Sequence, residues 1–218
     1  MKENSLAAKA YNELRKKILS NQLVSGTRLK ESDWAKKMEV NRMAVREALN
    51  RLVGEKLVVP GKNGGHYVKS LTADNVRDIR EVREILELGA LQLVFKKNNK
   101  QHIEILESIC DDFTAMVQGG YLNGACEADV KFHETLIDCA GNEKLKDLYQ
   151  NSNIPLFHQK LGRAQDDIQD YEMTDLEHRG IVKALKDKNL ELAKKTLLKH
   201  LGRGEKIVLD LKSMPKNT

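Results

Sequence analysis

Asn41-Arg42-Met43-Ala44-Val45-Arg46-Glu47-Ala48-Leu49-Asn50-Arg51-Leu52 is the stretch whose reading decides the fold. At helical period Val45, Ala48, Leu49 and Leu52 fall on one apolar face, while Arg42 and Arg46 lie one turn apart on another. Asn41 is a candidate N-cap, because its short side chain can accept from a free backbone N–H of the first turn. A helix that opens on a polar cap and carries arginines at its exposed N-terminal end suits insertion into the DNA major groove. By itself the pattern better fits an ordinary amphipathic surface helix, and it is the neighbouring residues on both sides that change that reading.

Immediately upstream, a short helix over about residues 31–38 turns Trp34, Ala35 and Met38 inward, and Glu39-Val40 joins it tightly to the arginine helix. Two short helices so joined form a helix-turn-helix. Further upstream Leu6, Ala7, Ala10, Tyr11, Leu14 and Ile18 predict a helix over about residues 5–20, and residues 21–30, with Ser25-Gly26, read as a loop. Downstream, Leu57-Val58-Val59-Pro60 and His66-Tyr67-Val68-Lys69 flank the turn Gly61-Lys62-Asn63-Gly64-Gly65, which predicts a β-hairpin wing. Lys62 and His66 sit at its tip.

Charge points the same way. Residues 1–70 hold 15 Lys+Arg against 7 Asp+Glu, a balance of +8, whereas the remaining 148 residues hold 22 against 25. A basic first third suggests a polyanionic partner, with nucleic acid the leading candidate. No helix pairs an aromatic-rich apolar face with a cationic one, and no apolar run reaches about eighteen residues, so no membrane partner is expected. Without an apolar signal core near Met1, and with three scattered cysteines (Cys110, Cys126, Cys139) forming no CxxC pair, a cytoplasmic chain with reduced thiols is expected.

From Val76 onward the period stays helical. Val76, Ile79, Val82, Leu86, Ala90 and Val94 form the first stripe, and further helices read at about 102–117, 124–139, 143–163, 172–187 and 189–212, with residues 164–171 a polar loop. The fold class is therefore mainly α: an N-terminal winged helix-turn-helix followed by an all-α helical bundle. The domains run 1–70 and 76–218, joined by a linker at 71–75. In the bundle Asp129 and His133 share a helix face at i, i+4, and His178 and His200 come from separate later helices. Four such residues can converge in a bundle core and would suit zinc, nickel, iron or manganese rather than calcium. Spacing alone also fits a solvated Asp–His pair and two unrelated histidines.

Gly26-Thr27-Arg28-Leu29-Lys30-Glu31, Trp34-Ala35, Val40-Asn41-Arg42, Val45-Arg46-Glu47-Ala48-Leu49, Arg51-Leu52 and Gly65 resemble the winged-helix domain of GntR-type bacterial transcription regulators. The resemblance implies binding of double-stranded operator DNA through Arg28, Arg42 and Arg46. Asn41 and Met43 join them at the groove-facing helix start, and Lys62 and His66 at the wing tip. Asn41 stands where the family commonly has serine, Ala44 where proline is common, and Trp34 where leucine is common. Arg83-Glu84-Ile85-Leu86-Glu87, Asp129 with Phe132-His133, Gly141-Asn142, Glu177-His178 with Ile181, Ala184-Leu185, Ala193 and His200-Leu201 resemble the FCD ligand-binding domain of the FadR branch of that family. That resemblance implies Asp129, His133, His178 and His200 as ligands of a divalent metal, zinc or nickel first, iron or manganese next.

An octahedral ion so held keeps two positions open for a small organic-acid or sugar-acid effector, with Arg163 and Arg179 as candidate carboxylate partners. The function so implied is a homodimeric, sequence-specific transcription regulator, read as a repressor, whose effector alters DNA affinity. The alternative is a metal-dependent enzyme acting on a small acid, with an accessory DNA-binding domain; no general base or nucleophile motif stands beside the ligands to support it.

Overall fold

The structure is a computed structural model that describes residues 5–19, 22–61, 64–70, 72–154 and 168–213. They divide into two compact units: one runs to Thr72 and takes in Asn153 and Ile154, the other comprises Ala73–Ser152 and the residues from Ile168.

The first unit contains α1 (Leu6–Leu19), β1 (Arg28–Leu29), α2 (Glu31–Met38), α3 (Arg42–Gly54), β2 (Val58–Pro60) and β3 (His66–Val68). Leu14 of α1 and Val45, Leu49 and Leu52 of α3 are fully buried, each worth about 1.5–3 kcal/mol relative to exposure. Glu39 ends α2 in the left-handed region at φ 54°, its N–H turned back to the carbonyls of Ala35 and Lys36, which redirects the chain into α3. Asn41 then caps α3: its Oδ1 accepts the Ala44 N–H at 2.8 Å. Proline at position 44 would have no N–H to give, so asparagine at 41 and alanine at 44 work as a pair.

The sheet is antiparallel in the order β1-β3-β2, with Leu29 opposite His66 and Val58 opposite Val68. Residues 28–29 therefore form a strand where a loop was expected. Two residues carry no periodicity of their own; what makes them a strand is the partner β3, far along the chain. Gly61 is required at the hairpin turn, since a Cβ there would lie 2.4 Å from the Tyr67 ring. Lys62, at the wing tip, lies outside the described residues.

The second unit contains α4 (Ala73–Lys97), α5 (Lys100–Gln118), α6 (Leu122–Cys139), α7 (Glu143–Asn151), α8 (Ile168–Lys186) and α9 (Leu190–Ser213), with no strand among its described residues. Helix α5 packs on α6 and α8, and α4 packs on α6 and α9. Asparagine side chains cap three of these helices: Asn99 accepts the Gln101 N–H, Asn142 those of Lys144 and Leu145, and Asn189 that of Leu192. No helix among the described residues is long and apolar enough to cross a membrane.

The structure corrects two boundaries and one helix face. Ile168–Tyr171, expected in a loop, open α8, and residues 164–167 lie outside the described residues. Helix α7 stops at Asn151 rather than running to 163. The inward face of α4 is rotated from the apolar stripe: Val76, Ala90, Leu91 and Val94 are buried, but Arg83 and Glu87 are buried with them and Val82 is 40% exposed. Hydrophobic periodicity cannot register an ion pair whose members neutralise each other inside the core.

Candidate metal centre and DNA-facing surface

Asp129 and His133 stand one turn apart on α6, His178 on α8 and His200 on α9, all at most 4% exposed. One ligand atom from each lies within 4.8 Å of the others. Asp129 Oδ1 is 3.4 Å from His178 Nε2 and 3.8 Å from the Nε2 atoms of His133 and His200, which are themselves 3.0 Å apart. Two atoms each bound at about 2.1 Å to one ion lie roughly 3.0–3.4 Å apart at adjacent coordination positions, and the three Asp129 distances and the His133–His200 distance fall in or close to that range. Phe132 stacks on the His178 ring at 4.0 Å and seals that side with apolar surface.

Two buried carboxylates orient the imidazoles from behind. Glu87 Oε2 is 2.7 Å from His133 Nδ1, and Glu177 Oε2 is 3.1 Å from His200 Nδ1. Burial alone would raise the Glu87 carboxyl, but Arg83 beside it and then His133 outweigh burial and hold it down to about 2. It is thus an acceptor at neutral pH, and His133 Nδ1 must carry the proton. Tyr149, its hydroxyl pushed up by burial and by Glu87, donates to Glu87 Oε1 at 3.2 Å, and Arg83 Nε donates to the same oxygen at 2.7 Å. Arg203 grips Glu177 in the matching role, its Nε 3.0 Å from Oε2. With both Nδ1 atoms donating outward, the Nε2 lone pairs of His133 and His200 face each other across 3.0 Å, beside a carboxylate oxygen. Electron-rich atoms so placed repel unless a cation lies among them. Neutral imidazole with one carboxylate is a donor set that suits first-row divalent metals.

Sequence reasoning brought these four ligands together but gave no role to Arg83, Glu87, Tyr149, Glu177 or Arg203. An Arg–Glu pair at i, i+4 carries no mark of burial: Arg80 and Glu84, one turn away on α4, make the same kind of pair in a partly exposed setting. Glu177 next to His178, and Arg203 one turn beyond His200, were the available signals. Arg179 lies away from the quartet, its guanidinium held by Asp175, Asp111, Thr114 and the Cys110 carbonyl. Arg163 lies outside the described residues. A cavity of about 10 Å³, about the room for one water molecule, instead opens beside His200, lined by Val76, Arg80, Arg83, Leu201 and Glu205.

On the first unit Arg28, Asn41, Arg42, Met43 and Arg46 are exposed and His66 is half-buried. Arg28 on β1 runs beside Gly65 of the wing. Met43 is 66% exposed. Sequence reasoning missed Glu31: its two carboxylate oxygens each accept from Arg46, from Nε and Nη2, at 2.9 Å, and Arg42 Nη2 lies 3.9 Å away. The Arg46 hydrogen bonds foremost, then the positive charges of Arg46, Arg42 and His66, hold the Glu31 carboxyl below its usual range despite partial burial.

Residues 6–68 match the family described as bacterial regulatory proteins, gntR family, and residues 78–203 match the FCD domain. Among curated relatives, an uncharacterised HTH-type transcriptional regulator, YdhC of Bacillus subtilis, is 32% identical over 87% of this chain and 85% of its own. The gluconate operon transcriptional repressor of Bacillus licheniformis is 26% identical over 85% of this chain and 77% of its own. Among solved structures, E. coli McbR/YncC superposes with a TM-score of 0.84 over 96% of this chain and 99% of its own, at 19% identity, a likeness of fold.

Proposed function

We infer a metal-centred, acid-responsive repressor from one premise: this chain belongs to the GntR family of bacterial regulatory proteins and carries an FCD domain. It is accordingly a DNA-binding transcription regulator and not an enzyme.

The finer reading is that two copies bind a pseudo-palindromic operator. Arg28, Asn41, Arg42, Met43, Arg46 and His66 face the DNA, with Lys62 at the wing tip, and half-site spacing is set by the two-fold axis. Asp129, His133, His178 and His200 hold a divalent ion, zinc or nickel first and iron or manganese next. Glu87 and Glu177 fix which nitrogen each of His133 and His200 presents. When bound, the ion supplies Lewis acidity toward a carboxylate ligand. Repression and a sugar or hydroxy acid as effector are favoured because the Bacillus licheniformis relative is a gluconate operon repressor.

The acid's own partners include Arg80 and Arg83, which line the cavity beside His200, rather than Arg179, whose guanidinium is held by Asp175 and Asp111; Arg163 stays a candidate. Since that cavity has room for about one water, an acid must displace α4 or α9 to enter. Coupling of about 1–3 kcal/mol between that arrangement and DNA affinity is enough to switch binding.

The observation that carries this reading is the buried convergence of three Nε2 atoms and one carboxylate oxygen. The test is thermal unfolding of metal-loaded and chelator-stripped protein against a panel of small acids, beside gel retardation of the chain's own promoter region. An acid that raises the midpoint only with metal present and releases the DNA is the expected result; at a hundredfold excess over its dissociation constant it adds about 2.7 kcal/mol. Loss of the fold on stripping, with no acid effective, would make the metal structural. No retardation at low salt would sink operator binding.

A further inference from the structure

The pair between α2 and α3 raises a question that DNA binding alone does not answer. Glu31 places a carboxylate among the arginines and His66 on the surface that must approach a phosphate backbone. Like charges repel, so for simple phosphate attraction the chain would do better without it. Yet Glu31 has only 17% of its side chain exposed and engages Arg46 through two parallel bonds of 2.9 Å. A guanidinium is planar with five N–H donors. Glu31 occupies Nε and one side of Nη2, which sets the plane of the group and turns its remaining N–H bonds, on Nη1 and Nη2, away from α2. Those two nitrogens are spaced to meet O6 and N7 of one guanine, the commonest specific contact in the major groove. Arg42, at 3.9 Å from Glu31 and with 67% of its side chain exposed, has no such fixed orientation.

Resting on the operator-binding reading above, we propose that Glu31 is a positioning residue that buttresses Arg46 for end-on recognition of one guanine in each half-site. Arg42 then serves as the freer contact, to phosphate or to a neighbouring base. Glu31 weakens general attraction to DNA and raises discrimination at a single base pair. A long arginine side chain otherwise spreads over many rotamers, and fixing it before the DNA arrives removes that ordering from the binding step.

The experiment uses the full chain with wild-type sequence and with Glu31→Gln, Glu31→Ala, Arg46→Ala and the Glu31→Ala/Arg46→Ala pair. Bound sequences are selected from a random duplex pool. Affinities are then measured across a salt series for the selected duplex and for duplexes changed at one pair at a time. Wild type is expected to select a G·C pair in each half-site at which Glu31→Ala loses roughly 5- to 150-fold of discrimination, the span of one bidentate base contact. Glu31→Gln, which keeps one acceptor oxygen, loses less, and adding Glu31→Ala to Arg46→Ala costs no further discrimination. Affinity of Glu31→Ala for unrelated duplex holds or rises, and its salt dependence steepens by about one phosphate contact.

A purely structural role for Glu31 would instead lower affinity for every duplex evenly, with an unchanged salt slope, and that result overturns the proposal. So does wild-type discrimination retained at every position by both Glu31 variants. If Glu31→Ala proves unfolded by circular dichroism, the near-isosteric Glu31→Gln carries the comparison. Wild type that binds DNA but selects no sequence removes the specific operator reading and this inference together, whereas the former survives if only the Glu31 variants are silent.

Discussion

Replacing Glu87 by alanine removes one buried carboxylate and leaves three donors facing nothing: Arg83 Nε, His133 Nδ1 and the Tyr149 hydroxyl. The guanidinium matters most, because Arg83 is 7% exposed and its charge is left buried. Breaking one side of a buried ion pair costs about 3–5 kcal/mol, which for a chain of this size lowers the melting midpoint by roughly 6–20 °C. Far-UV circular dichroism of metal-stripped protein in urea reads the helical second unit. The chain's single tryptophan, Trp34, lies in the first unit, so its fluorescence is an internal control expected to hold its transition.

A second variant separates stability from ligand orientation. Arg83→Met with Glu87→Leu and Tyr149→Phe removes the polar groups around Glu87 except that of His133, and apolar replacement of a buried pair is often neutral or stabilising. Its midpoint is expected near the wild-type value, while metal affinity stays about 10- to 100-fold down for want of the His133 orienter. A Glu87→Ala cost under about 1 kcal/mol, or a triple variant as unstable as the single one, would refute the reasoning.

Three further outcomes are expected. Asn41→Ala should cost about 1 kcal/mol in urea, and almost nothing in an Ala44→Pro background where the capped N–H is gone; a full cost in both would deny the cap. Arg179→Ala should leave the acid-induced rise in midpoint intact, since its guanidinium is engaged by Asp111, Asp175 and Thr114; abolition of the rise would place it at the effector. Burial pushes the Cys110 thiol up to about 12 from 9.0, so the native state keeps a proton that the unfolded chain releases. That stability is complete below pH 9.0 and is lost as pH rises toward 12, and Cys110→Ala should flatten this alkaline decline in urea titrations.

The sequence by itself determined the helices and the wing hairpin and, through resemblance, the four metal-ligand candidates. Val45, Ala48, Leu49 and Leu52 must be covered because their spacing makes one apolar face, and Asn41 must cap because its side chain reaches the third residue on. Such signals are local, set by backbone geometry over one or two turns. What tertiary structure alone decided is which charges go inside and what they face. Arg83–Glu87 and Arg80–Glu84 are the same pair in sequence, yet only the first is buried, because α6 and α9 bring His133 and His200 against that side of α4. Strand β1 exists because β3 returns to pair with it. Glu31 meets Arg46 because the left-handed turn at Glu39 folds α2 across α3. In each case the partner comes from a different element, and the energy that selects the arrangement belongs to the contact rather than to either segment.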